Sequence, residues 1–126
     1  MESIGGSVST PRAGSKSWLR FRYRELNKEF FRNKLPRRIP IEWAVLPGTI
    51  IARVQWRKRR GEYQPLRMQF DRGLKGRYLQ KQVGMSMLHE MAHLKLGVDV
   101  ACEEWDGKFD KEMFRLARAG AFRYFW

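Results

Sequence analysis

The hydrophobic period changes twice along this chain, and those changes restrict its fold more than any other feature. Leu19, Tyr23, Leu26 and Phe30 recur at i, i+4, i+7 and i+11, the spacing of one apolar helix face. Arg20, Arg24 and Lys28 fall largely on the other side, and Pro36 comes soon after the expected helix end. From Ile39 the period drops to two. Ile39, Ile41, Trp43 and Val45 share one face of a first strand, with Pro40 suited to a strand start or an edge. Pro47-Gly48 marks a turn. Ile50, Ala52, Val54 and Trp56 alternate with Ile51, Arg53 and Gln55 in a second strand, and Leu66, Met68 and Phe70 alternate with Arg67, Gln69 and Asp71 in a third. Between these two strands, Arg57-Lys58-Arg59-Arg60-Gly61 reads as a basic hairpin loop. A long helix is expected over about 77–96, with Gly97 a natural stop. A last helix is expected over about 107–122, with Phe109, Met113, Leu116 and Gly120 on one face. The order helix, three strands, helix, helix implies a small α+β domain.

A chain of 126 residues suits one such domain and is short for two cores. Residues 1–16 are rich in Gly and Ser and read as a disordered basic leader, so the domain is expected over 17–126. The formal charge of +13 bears on partners and solubility rather than on fold. Nucleic acid is the first candidate partner, ahead of an anionic membrane surface or an acidic protein. The single cysteine, Cys102, excludes an internal disulfide and suits a reducing compartment. No apolar run approaches the roughly 20 residues of a membrane span, and the N-terminal stretch lacks the apolar centre of a secretory signal. These features together read as a cytoplasmic protein.

The chemistry concentrates in His89-Glu90-Met91-Ala92-His93, which holds both histidines of the chain. On a helix, residues four apart project from one face, so both imidazoles can reach one ion at ~2.0–2.1 Å, the usual zinc–nitrogen distance. Zinc lowers the pKa of a coordinated water toward ~7. Glu90, adjacent to His89, is placed to take that water's proton and to return it to a leaving amine. The pattern therefore predicts a zinc-dependent hydrolase with His89 and His93 as ligands and Glu90 as general base and acid. A catalytic zinc usually takes a third protein ligand. The candidates downstream are Asp99, Cys102, Glu103, Glu104 and Asp106.

Four segments, taken in order, resemble the SprT-like metalloproteases, which include the Spartan DNA–protein crosslink proteases. Leu26-Asn27-Lys28-Glu29-Phe30-Phe31-Arg32-Asn33-Lys34-Leu35-Pro36 is similar to the family's first-helix signature, and Ile39-Pro40-Ile41-Glu42-Trp43 to its first strand. Met87-Leu88-His89-Glu90-Met91-Ala92-His93 matches the zinc helix, and Asp106-Gly107-Lys108-Phe109 lies where the family places a His-Gly-x-aromatic segment. The resemblance spans most of the chain, from Ser17 to about Gly120. It implies a zincin-like fold with the HExxH helix packed under a sheet, a protein substrate, and Asp106 as the third zinc ligand in place of His. A carboxylate is an acceptable zinc ligand beside two histidines. With one cysteine, the sequence is not expected to build the zinc ribbon of many relatives. In such folds an edge strand can align an extended peptide by backbone pairing, and residues 66–71 are the candidate strand.

Trp56 followed by Arg57, Lys58, Arg59 and Arg60 sets an aromatic beside four cations. Arg20, Arg22 and Arg24 add charge on the first helix, and Arg32, Lys34, Arg37 and Arg38 follow it. Such surfaces neutralise phosphates and bind in a salt-dependent way, and an aromatic can stack on an unpaired base. Alternation with Val54 equally makes Trp56 a core strand residue. Two functions follow as expectations. One is a zinc metallopeptidase acting on DNA-associated proteins. The other is a catalytically degenerate zincin scaffold that binds nucleic acid through its basic surface, which Asp106 and the high charge would favour.

Overall fold

A computed structural model describes residues 11–12, 14–76, 79–97 and 107–122. Within them the chain forms α1 (Lys16–Phe31), β1 (Ile41–Ala44), β2 (Ala52–Arg59), β3 (Glu62–Asp71), a short 3-10 turn (Arg72–Leu74), α2 (Gln80–Leu96) and, past the connector, α3 (Lys108–Arg118). The expected α+β order of helix, three strands and two helices is therefore present.

α1 forms because its apolar stripe is continuous and both ends are capped. Ser15 Oγ accepts a hydrogen bond from the Trp18 amide at 3.0 Å, satisfying one of the first-turn donors. The helix thus starts at Lys16, inside the segment expected as leader; residues 1–10 and 13 lie outside the described residues. At the other end Arg32 and Asn33 both take positive φ, 53° and 60°, where a glycine is more usual. Asn27 makes this possible. Its backbone carbonyl accepts from the Asn33 amide at 2.9 Å. Its buried side chain holds Leu35 from both sides, donating to the carbonyl and accepting from the amide, each at 3.2 Å. Asn27→Ala strands both Leu35 groups in a dry site, which costs about 2 kcal/mol. Chemical denaturation should show the midpoint shifted with little change in slope; an unchanged midpoint would refute the clamp.

The sheet order is β1-β3-β2, with β1 parallel and β2 antiparallel to β3. Register explains the core. Ile41 pairs with Met68 and Trp43 with Phe70, while Ala52 pairs with Phe70 and Val54 with Met68. These side chains share one face and pack with Trp18, Leu19, Tyr23 and Leu26 of α1 and Val83, Met87, Leu88 and Met91 of α2. Burial pushes the Tyr23 phenol above its ordinary range, and its hydroxyl donates to the Pro36 carbonyl at 2.6 Å. On the opposite face Arg53 Nε donates to Gln69 Oε1 at 2.8 Å, and Gln69 Nε2 donates to Glu42 Oε2 at 3.1 Å.

Several expectations from the sequence are corrected. Residues 66–71 belong to the central strand, paired with β2 and, from Met68 on, also with β1; among the described residues β1 and β2 are the edge strands, and β2 is the one next to α2. The basic segment 57–61 is mostly strand. β2 runs through Arg59, and only Arg60 and Gly61 turn, with φ of 53° and 81°, the two positive values a tight hairpin demands. Val45 lies outside β1 and is 80% exposed, and Leu46 is buried instead. The Leu46 amide donates to Asp71 Oδ1 at 2.9 Å, which ties the β1–β2 connection to β3. That bond and the one from the Gly73 amide hold the Asp71 carboxyl below the usual range. Ile50 and Ile51 precede β2 and are exposed. The last helix stops at Arg118 rather than near 122. Gly120 has φ 84° and the Ala121 amide donates to the Leu116 carbonyl at 3.0 Å, a glycine-terminated helix end.

Candidate metal centre

α2 carries the central motif. Val83, Met87 and Met91 recur every fourth residue and are buried, as are Gly84, Leu88 and Ala92. The helix is therefore enclosed on most sides, between the sheet, α1 and α3. Gly97, with φ 94°, ends it by donating its amide to the His93 carbonyl at 2.9 Å. A helix held this firmly fixes the side chains it carries, and of the motif His89 is partly exposed while Glu90 and His93 are buried.

The two imidazoles converge. Their Nε2 atoms are 3.1 Å apart and their ring centroids 4.8 Å apart. Two nitrogens bound tetrahedrally to one zinc at ~2.0–2.1 Å would stand about 3.3 Å apart. The pair thus fits a shared ion with only slight adjustment, and imidazole nitrogen is a suitable donor for zinc. Glu90 is 8% exposed and lines the same cleft, a concavity of about 330 Å³ whose other wall is Ala52, Val54 and Trp56 of β2. Trp56 is therefore a partly buried wall of the cleft rather than a core residue. A register shift between Gln55 and Trp56, opposite Pro65, accompanies its placement, as strand irregularities often do beside a cleft.

Among the described residues, no third His, Cys, Asp or Glu joins the two histidines in a metal-holding group. Asp99, Cys102, Glu103, Glu104 and Asp106 all lie outside the described residues. The basic cluster Arg57, Lys58, Arg59 and Arg60 is exposed at the far end of the strand that walls the cleft. Lys58 Nζ lies 5.7 Å from the Tyr63 ring centroid, across the β2–β3 pair.

Two features at the site were not read from the sequence. Phe109, at the start of α3, rests on both imidazoles, stacked on His93 at 4.6 Å and edge-on to His89 at 4.7 Å. Its place in an apolar stripe foretold burial but not the partner. The second is a clasp one turn further on. Glu112 is buried at 6% exposure. It accepts from Lys95 Nζ at 2.7 Å and from Arg115 Nε and Nη2 at 3.0 and 2.7 Å, while Arg115 Nη2 also reaches the Phe30 carbonyl at 2.9 Å. The clasp locks α3 to the end of α2 and so holds Phe109 against the rings. The signal was present as an acid on the Phe109–Met113–Leu116 side of the helix, three residues from both Phe109 and Arg115.

Burial pushes the Glu112 carboxyl up, but hydrogen bonds and charge from Arg115 and Lys95 more than offset it and leave it below the usual range. A carboxyl lowered on folding stabilises the fold above its ordinary pKa of about 4.3 and loses that contribution as pH falls through the lowered value. Glu112→Gln should cost about 1–2 kcal/mol at pH 7, since both cations are 41% exposed and screened. The difference from the parent should shrink below about pH 4. Thermal unfolding of both proteins from pH 7 to 3 measures this, and a gap independent of pH would contradict the assignment.

Comparison with protein-family models, with curated proteins and with solved structures finds no match for this chain.

Proposed function

We propose that this protein is a zinc-dependent metallopeptidase of SprT-like, zincin type that acts on DNA-associated proteins. The observation that carries this reading is the convergence of His89 and His93 Nε2 at 3.1 Å, in a cleft that also receives Glu90. His89, His93 and Asp106 would hold zinc. Bound there, it would supply Lewis acidity toward the scissile carbonyl and the attacking water. Glu90 takes the proton from that water and hands it to the leaving nitrogen as the peptide bond breaks. β2 lies along the cleft with β3 on one side only, so an extended substrate can pair with its other edge. The exposed Arg57, Lys58 and Arg59 continue the same strand, Arg60 follows in the turn, and the four give a nucleic-acid contact beside the peptide path. The formal charge of +13 supports association with DNA, non-specifically and through phosphates.

Assignment of Asp106 draws support from Phe109. The residue three positions after Asp106 touches both imidazoles, so α3 begins beside the pair. Metal analysis of the purified chain tests the reading directly. The parent should bind one zinc, His89→Ala and His93→Ala should each abolish stoichiometric binding, and Asp106→Ala should weaken it by at least tenfold while Asp99→Ala leaves it near the parent's. A folded, zinc-free parent that still binds DNA would transfer support to the non-catalytic scaffold. A large loss in Asp99→Ala alone would move the third ligand to that residue.

A further inference from the structure

A second concavity, of about 410 Å³, lies between the end of α1, the loop after it, the end of α2 and α3. It shares no residue with the cleft at the histidines. Leu35 and Phe31 give it an apolar floor, and four cations, Arg32, Lys34, Lys95 and Arg115, stand around it. Glu112 is the only carboxylate paired with any of them among the described residues, and it is already saturated by Lys95 and Arg115. Counting Glu112 against these four cations, the concavity carries an excess of about three positive charges. Arg115 is pinned by Glu112 and the Phe30 carbonyl and lies 5.4 Å from the Phe31 ring centroid, and among the described residues nothing bonds its Nη1. Arg32 sits on left-handed backbone, and the buried Asn27 clamp holds the loop that carries it and Lys34. Unfavourable backbone held rigid beside a charged hollow is the arrangement in which strain serves a ligand.

We propose that this hollow binds a phosphate monoester carried on a nucleoside, either as a free nucleotide or as the phosphorylated end of a strand. A phosphate monoester carries about −1.5 to −2 charge at neutral pH, which matches the excess better than the single charge of an internal phosphodiester or a lone carboxylate. Guanidinium groups suit its oxygens through paired hydrogen bonds. The apolar floor takes the nucleoside body, and the volume lies within the range of small-ligand pockets, about 300–1,000 Å³. The site is independent of the proposed peptidase activity and stands or falls apart from it.

Calorimetric titration of the intact chain tests it, using adenosine monophosphate, a short single-stranded oligodeoxynucleotide with and without a 5′-phosphate, and a Glu-rich peptide. At least one phosphate monoester should bind. Selective binding of adenosine monophosphate would name the free nucleotide as source; an oligonucleotide bound at least fivefold tighter with its 5′-phosphate would name the strand end. The double variant Arg32→Asn, Lys34→Gln should weaken the bound monoester at least tenfold. Asn tolerates the backbone at position 32 and both side chains are exposed, so the fold should persist, as circular dichroism will confirm. Amide resonances of Leu35 and Leu94 should shift on adding the monoester to the parent, a check that needs no variant. Absence of those shifts, undiminished binding by the double variant, no gain from the 5′-phosphate together with no binding of adenosine monophosphate, or tighter binding of the Glu-rich peptide would each overturn the proposal.

Discussion

Glu90→Gln is expected to reduce peptide hydrolysis by a factor on the order of 10²–10⁴ while leaving zinc affinity within a few-fold of the parent. Gln has nearly the same shape as Glu, so the buried position on α2 tolerates it, and His89 and His93 keep their convergence at 3.1 Å. What disappears is the ability to accept a proton from water and to return it to the departing amine. The experiment pairs a fluorogenic peptide or casein assay with zinc quantification on the same samples, with and without single-stranded DNA. Hydrolysis that survives in Glu90→Gln would remove Glu90 from the chemistry. Loss of both zinc and activity would show that Glu90 supports the site structurally and is not its base.

The largest effect on stability is expected at Phe70. Its side chain is fully buried on the central strand, where β1 and β2 bring Trp43 and Ala52 to either side of it. Trp43 meets it in an edge-on geometry at 6.3 Å. Phe70→Ala removes those contacts and leaves a cavity among α1, α2 and the sheet, at a cost of about 3–5 kcal/mol. Small domains have a total stability of only about 5–15 kcal/mol, so the variant should lose a large share of it. Phe70→Leu retains most of the volume and should cost well under half as much. Urea unfolding followed by fluorescence measures both. Equal midpoints for Phe70→Ala and the parent would mean that the core is not organised around this strand.

The parts of the fold set by hydrophobic period were legible in the sequence. Leu19, Tyr23, Leu26 and Phe30 marked α1; Met68 and Phe70 marked β3; and Gly97 marked the end of α2. Partner choice was not legible, because alternation says which residues share a face and nothing about which strand lies beside which. That is why residues 66–71 were expected at an edge and stand in the middle. Charge misled at residues 57–59. Cations on a strand with one open side are compatible with pairing, and only the positive φ of Arg60 and Gly61 was needed for the turn. At the metal centre, helical geometry alone set His89 beside His93. Phe109 and the Glu112 clasp depended on α3 crossing α2, a tertiary relation that spacing within one helix does not encode. Arg32 and Asn33 were equally opaque, since a side chain five or more residues upstream determines that helix end.

The position of β2 has a consequence for the company the protein keeps with itself. A strand with one side unpaired is a template onto which another copy can add, and sheets with such strands are prone to sticking edge to edge. Here Arg57, Lys58 and Arg59 occupy the outer half of that strand. Two copies approaching along it would bring like charges face to face, which makes the lane repulsive to its own kind and open to acidic or neutral chains. The guard is electrostatic and fades as counterions shorten the reach of charge, so concentrated salt should promote self-association through the same strand that low salt keeps apart.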